Sequence, residues 1–170
     1  MADIKLYIPI LKHWEGGFSD NPNDSGGATM CGVTLNVFRH FFGTNMSVED
    51  LKNITEDQFI TVLEEYWNGV QGDKILDQQV ANSLVDWAYN AGETTPIKHL
   101  QGILNLPRTG FFGDMTLTAV NNANPQNMCN LIYNARVNFY KSLVNSTPKD
   151  SIFLRGWLVR ATSFLYKPII

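Results

Sequence analysis

The residues best suited to chemistry stand close together near the start of the chain. Glu15 ends an apolar helical stripe, and Gly16-Gly17 follow it at once, before an acid-rich loop containing Asp20 and Asp24. A carboxylic acid on a rigid helix end is what a general acid requires. Its neighbours Trp14 and Phe18 provide apolar surroundings of the kind that disfavour a charged carboxylate. The two glycines allow a bulky substrate to approach closely. The second requirement is a carboxylate across the cleft, to activate water or to stabilise an oxocarbenium-like transition state. Asp24 and Asp20 both satisfy the spacing, because the loop must fold back over the end of the first helix. Glu15 as a plain surface helix end, with the aspartates as turn formers, is the competing interpretation.

The elements that must position these groups are helices. Ile4–Trp14 carries apolar residues at 4, 7, 10, 11 and 14, with Asp3 as a candidate cap. Pro9 either kinks this helix or marks a later start. Residues 16–27 read as a loop, with a short β-hairpin expected around Thr29–Thr34. Helices are expected over Thr34–Phe42, from the capping box Thr55-Glu56-Asp57-Gln58 to about Trp67, and over Gln78–Asn90, where Gly92 stops the helix. The last of these is apolar nearly all round and reads as the buried central helix. Further helices are expected over Thr95–Leu104, from Asp114 as cap to about Asn121, over Pro125–Val144 and over Ser151–Leu165. The fold class is therefore all-α with a small β-hairpin beside the site. The expected organisation is 1–94 as the catalytic region and 95–170 as a helical region packed on it.

Composition bounds the function. The chain has 170 residues, 44% hydrophobic and 17% charged, which excludes a disordered protein. Its most apolar window, Ile152–Ile170, is interrupted by Arg155, Arg160 and Lys167, so an integral membrane protein is not expected. A formal net charge of −3 argues against a nucleic-acid binder. The charge is uneven: residues 1–130 carry 7 Lys/Arg and 15 Asp/Glu, residues 131–170 carry 6 and 1. The basic end suits either an anionic polymer or packing against the acidic remainder. Two cysteines make no disulfide scaffold. No secretory signal is visible, so synthesis in the cytoplasm is expected, and a target outside the membrane requires export by another system.

The stretch His13-Trp14-Glu15-Gly16-Gly17-Phe18, followed by Asp20-Asn21-Pro22-Asn23-Asp24-Ser25-Gly26-Gly27-Ala28-Thr29 and Gly32-Val33-Thr34, resembles the signature of glycoside hydrolase family 108. Members are lysozyme-like N-acetylmuramidases, and some carry the name secretion activator protein. Glu65-Tyr66-Trp67 and Asp86-Trp87-Ala88-Tyr89-Asn90-Ala91-Gly92 are similar to the middle of that family. Ile97–Leu165, with His99-Leu100-Gln101, Asn134-Ala135-Arg136 and Arg155-Gly156-Trp157-Leu158, is similar to the peptidoglycan-binding region that follows. The resemblance implies a lysozyme-like fold and cleavage of the β-1,4 bond between N-acetylmuramic acid and N-acetylglucosamine. It implies Glu15 as the acid and peptidoglycan glycan strands as the partner. A monomer is expected, and with no visible secretory signal the wall would be reached by holin-type or non-classical export. Asp24 follows Glu15 after eight residues, similar to the phage-lysozyme pattern. The position where that pattern has Thr, five residues further, is Met30. Thr29 and Thr34 are then the nearest hydroxyls.

Around the acid, Phe18, Thr29, Thr34, Tyr66, Trp67 and Asn90 are the candidate substrate contacts, with Tyr66 and Trp67 as a cleft wall. Asp86, on the apolar central helix, reads as a structural hydrogen-bond hub. Arg155, Trp157 and Arg160 either face a wall polymer or belong to the scaffold. Cys31 as a nucleophile is the weaker alternative to a small packed side chain. Asn21-x-Asn23-x-Ser25-Gly26 only loosely mimics a calcium loop, with Gly32 at the twelfth position. No metal or organic cofactor is called for, since two carboxylates suffice. Two other functions share these features. One is a non-catalytic wall-binding or secretion-accessory module. The other is a lytic transglycosylase, which needs the acid but no water-directing carboxylate.

Overall fold

The computed structural model describes residues 1–20 and 27–168. Its elements run in the order α1 (Ile4–Trp14), β1 (Thr29–Met30), β2 (Val33–Thr34), α2 (Leu35–Phe42), α3 (Val48–Lys52), α4 (Glu56–Gly69), α5 (Gln78–Ala91), α6 (Thr94–Ile103), α7 (Asp114–Asn122), α8 (Pro125–Ser146) and α9 (Ser151–Ser163), with 3₁₀ turns at Gly72–Lys74 and Pro148–Asp150. This is a mainly helical, lysozyme-like architecture with one small antiparallel hairpin. Two compact units are distinguished, residues 4–65 and residues 1–3 with 66–170, and the division falls within α4.

In the unit 4–65, α1 continues through Pro9 and buries Tyr7 and Leu11. The expected capping box is present: Gln58 N donates to Thr55 Oγ1 at 3.2 Å, and Thr55 N donates to Gln58 Oε1 at 2.9 Å. Sequence reading missed α3, although Ser47-x-x-Asp50 forms a second capping box at its start. The core of this unit holds Val33, Phe38, Leu51, Phe59, Val62 and Leu63.

The other unit is built round α5, whose residues Val80–Ala88 are all buried. Asp77 caps it by accepting from Gln79 N and Val80 N, and Gly92 ends it at φ 76°. Helix α5 packs on α6 and α8, and α8 packs on α9. The one acid inside this helix, Asp86, has no exposed surface. It meets Arg160 Nη2 at 2.7 Å and Arg136 Nη2 at 2.8 Å. Arg136 Nε donates to the Tyr140 hydroxyl at 2.9 Å, and Tyr140 stacks on Trp157. Asp86 is thus a structural hub, and Arg160 and Trp157 are parts of its scaffold. Asp114 does not cap α7 as expected; it is the first helical residue, and Gly113 holds the cap position without a side-chain bond. Cys129 is fully buried, and burial pushes its thiol up to about 12. Among the described residues no helix is long and apolar enough to cross a membrane.

Candidate active site

Glu15 stands one residue past α1. Its amide donates to the Leu11 carbonyl at 2.8 Å, so the last helical turn runs on into the acid and fixes its backbone. The residue is half-buried. Among the described residues, a Cβ added at Gly16 or Gly17 would meet nothing within 4 Å.

The chain then turns back on the hairpin. Ser19 and Thr29 exchange two main-chain hydrogen bonds, 2.9 and 2.8 Å long. Thr29 in turn pairs with Thr34, and Met30 with Val33. Residues paired directly across strands project to the same face. Ser19, Thr29 and Thr34 therefore form a lateral row of hydroxyl side chains. Thr34 Oγ1 is committed to capping α2, accepting from Val37 N at 3.2 Å. Ser19 went unnoticed in the sequence; an isolated bridge between residues ten apart leaves no periodic trace.

The hairpin turn is Cys31-Gly32, with φ of 52° and 75°. Burial raises the Cys31 thiol, the Glu15 carboxylate raises it further, and Lys12 acts in the opposite sense. The turn, Lys12 and Glu15 therefore lie within electrostatic reach of one another. Lys12 was detectable in advance, since a residue three before the acid shares its helix face. It also pairs with Glu56 at 2.6 Å. A thiol held mostly protonated is a poor nucleophile, so the alternative role for Cys31 loses support.

Of the remaining expected site residues, Phe18 is 37% exposed, and its ring lies 4.8 Å from Lys52 Nζ in a cation–π contact. Asp20 is exposed, directly after the Ser19–Thr29 bridge. Asp24 lies outside the described residues, as do Asn21, Asn23, Ser25 and Gly26 of the loose calcium-loop match. In the other unit, Tyr66 is half-buried and packs edge-on against Tyr89, 5.1 Å between rings. Trp67 corrects the expectation of a cleft wall. It is 1% exposed, donates its indole N–H to Asp73 Oδ1 at 2.6 Å, and covers Gly72 so closely that a Cβ there would lie 2.3 Å from its ring. A ring enclosed in this way has no face to offer a sugar. Asn90 is exposed and donates its amide to the Asp86 carbonyl at 2.7 Å, a helix-end bond. Among the described residues no three His, Cys, Asp or Glu side chains form a group that could hold a metal ion.

The architecture is mainly helical and lysozyme-like, and Glu15 stands at the end of its first helix. The chain belongs to the glycosyl hydrolase 108 family, whose model matches residues 8–92 and so includes Glu15 and the hairpin. Residues 95–162 match a second model, described as a predicted peptidoglycan domain. The structure of Brucella abortus SagA is similar to this one, with 28% identity and a TM-score of 0.80; the match covers 99% of this chain and 100% of that one. A search of curated proteins finds no match. The two family models together describe a hydrolase directed at peptidoglycan.

Proposed function

We propose that the protein is an N-acetylmuramidase that cleaves the β-1,4 bond between N-acetylmuramic acid and N-acetylglucosamine, with Glu15 as its general acid. The observation that carries this reading is the placement of Glu15: a half-buried acid at a fixed helix end, followed by two glycines and within electrostatic reach of the hairpin turn, inside the segment matched to glycosyl hydrolase 108. Glu15 protonates the glycosidic oxygen as the bond to the anomeric carbon breaks. Asp24 directs the attacking water or stabilises the developing positive charge, with Asp20 as the alternative second acid. Thr29 and Ser19 are hydroxyls available to orient that water, while Thr34 holds the hairpin onto α2. Phe18, Tyr66 and Asn90 are the proposed sugar contacts, and Trp67 is withdrawn from that set. Residues 1–94 form the catalytic region in this reading, and residues 95–170 hold the wall.

The test is digestion of purified peptidoglycan by the wild type and by Glu15→Gln, with released muropeptides identified by mass spectrometry. Loss of a positioned acid costs about 10²–10⁴ in rate. Wild type should release fragments with reducing N-acetylmuramic acid ends, and the variant should fall to background. Anhydro-ended fragments would assign transglycosylation instead. No release by either protein, with both still sedimenting with the wall, would assign a binding or secretion-accessory module.

A further inference from the structure

A second place equipped to bind a ligand lies within the segment matched to the predicted peptidoglycan domain. Helices α6 and α8 and the turn after α6 border an open groove of about 600 Å³, lined in part by His99, Arg108, Asn138, Phe139 and Ser142. That volume lies within the range of sites for small organic ligands, roughly 300–1,000 Å³. Among the described residues no acid lines it. Residues 95–162 carry seven Lys/Arg against two Asp/Glu, so the surroundings also favour an anion.

Arg108 is exposed, and its side chain is tied back to helix α6. Helix α6 ends at Ile103 with Leu104 as its C-cap, and Asn105 takes the left-handed conformation, φ 55°, to start the turn. Buried Gln101 then pins that turn. Its Nε2 donates to the Phe111 carbonyl at 2.9 Å and to Thr109 Oγ1 at 3.1 Å, while its Oε1 accepts from Gly110 N at 3.0 Å. Arg108 Nε donates to the Lys98 carbonyl at 3.0 Å. The guanidinium lies over Gly102, where a Cβ would come within 3.1 Å of Nε and 3.3 Å of Cζ. With Nε engaged on the helix, the two Nη groups form the edge that can grip a carboxylate through parallel hydrogen bonds. Beside it, His99 packs against Trp87 and Phe139. Burial, and then the Arg108 charge, push His99 below its ordinary value, so its ring is neutral at pH 7 and serves as a hydrogen-bonding wall.

We propose that this groove binds the peptide-bearing muramic acid of peptidoglycan. Arg108 grips a carboxylate of the stem peptide, Phe139 meets the sugar face, and Asn138 and Ser142 serve its amide and hydroxyl groups. A neutral glycan has no need of an oriented guanidinium. A polyanionic nucleic acid is held by several cations along its backbone. A single Arg among amide, hydroxyl and aromatic groups suits one carboxylate on a sugar-peptide. The inference rests on peptidoglycan being the polymer engaged, and it concerns a site separate from Glu15.

The experiment uses the full chain carrying Glu15→Gln, so that ligand is not consumed, in ¹H–¹⁵N NMR titrations. Three probes are compared: N-acetylglucosaminyl-N-acetylmuramyl-tetrapeptide, the same disaccharide after amidase removal of the peptide, and chitotetraose. The tetrapeptide form should shift resonances of His99, Arg108 and Phe139, and both peptide-free probes should bind at least tenfold more weakly. Arg108→Met should weaken tetrapeptide binding at least tenfold. So should Gly102→Val, which keeps the Arg but displaces it; circular dichroism of both variants checks the fold. Equal binding of chitotetraose, equal binding of the amidase product, or unchanged affinity in both folded variants would overturn the proposal. Binding is read without turnover, so a negative digestion result for the wild type would sink the muramidase reading and leave this one standing.

Discussion

Replacing Asp86 by Asn removes one negative charge from a site that holds two positive ones. The carboxylate has no exposed surface, and the Arg136 and Arg160 side chains are 1% and 10% exposed. Arg160 meets it twice, through Nε at 3.1–3.2 Å and Nη2 at 2.7 Å. Arg136 is less well served. Its Nη2 stands 2.8 Å from Oδ2, yet makes no aligned hydrogen bond, and among the described residues Nη1 has no hydrogen-bond partner. Breaking a buried ion pair by deleting one member costs about 3–5 kcal/mol, because the other charge is stranded. For a chain of this size each kcal/mol moves Tm by about 2–4 °C, so Asp86→Asn should lower Tm by about 6–20 °C. Arg136→Met acts on the same cluster with the opposite effect on charge. It leaves Asp86 and Arg160 as a neutral pair and removes the poorly bonded guanidinium, so it should cost less than Asp86→Asn, about 2 kcal/mol or below. Urea denaturation followed by tryptophan fluorescence measures both. An Asp86→Asn cost below about 1 kcal/mol, or a larger cost for Arg136→Met, would refute the view that this carboxylate neutralises two buried cations.

Two other perturbations concern the unit 4–65. Cys31 occupies the first of two left-handed positions in the hairpin turn, a conformation that Asn tolerates better than other side chains with a Cβ. Cys31→Asn should therefore raise stability, by less than the roughly 1–2 kcal/mol that this conformation costs a side chain with a Cβ, seen as a higher urea midpoint, with wall hydrolysis retained; a lower midpoint, or loss of hydrolysis, would contradict the reading of turn and thiol. Asp50 is held below the usual carboxylate range by its hydrogen bonds from Ser47, and Glu56 by its bond to Lys12. Depressed acids stabilise above their unfolded values, about 4, and that contribution disappears as pH falls through the folded values. Acid titration of stability should thus show a loss below about pH 4 that Asp50→Asn with Glu56→Gln makes shallower; an unchanged slope would remove these groups from the account.

Local signals predicted local structure well. The Thr55–Gln58 capping box, the stop at Gly92 and the nearly all-apolar face of α5 were legible because each depends on residues within one or two turns. Helix α3 was missed although Ser47 and Asp50 carry the same box, since five residues leave no periodic stripe. Trp67 was misjudged because the pattern shows a large aromatic residue but not what covers it. Its enclosure depends on Gly72 and Asp73 in a 3₁₀ turn that nothing in the apolar spacing announces. The hydroxyl row escaped for a similar reason, as Ser19 joins it through main-chain bonds that any residue type makes. Arg136 and Arg160 lie 50 and 74 positions from Asp86 in the chain, and only the packing of α5, α8 and α9 brings them together.

That packing also decides what the basic end of the chain is available to do. Residues 131–170 carry six Lys/Arg and one acid, a surplus that suits either an anionic polymer or an internal partner. Both occur, on different residues. Arg136 and Arg160 are spent inside the scaffold on Asp86, an acid from the negative part of the chain, and no polymer can reach them. Arg155, Lys141 and Lys149 remain exposed, with Lys98 and Arg108 just upstream in the same matched segment. Exposed lysines contribute a field that salt screens within about 8–10 Å. Arg108 differs from them, because Gln101 fixes its turn, the Lys98 carbonyl takes its Nε and Gly102 gives its plane room. A cation oriented before the ligand arrives loses less freedom on binding, so it returns more affinity per contact than a mobile one. General attraction to an anionic wall should therefore fall with salt and be spread over the lysines, while recognition of a particular carboxylate should depend on Arg108 and persist at higher ionic strength.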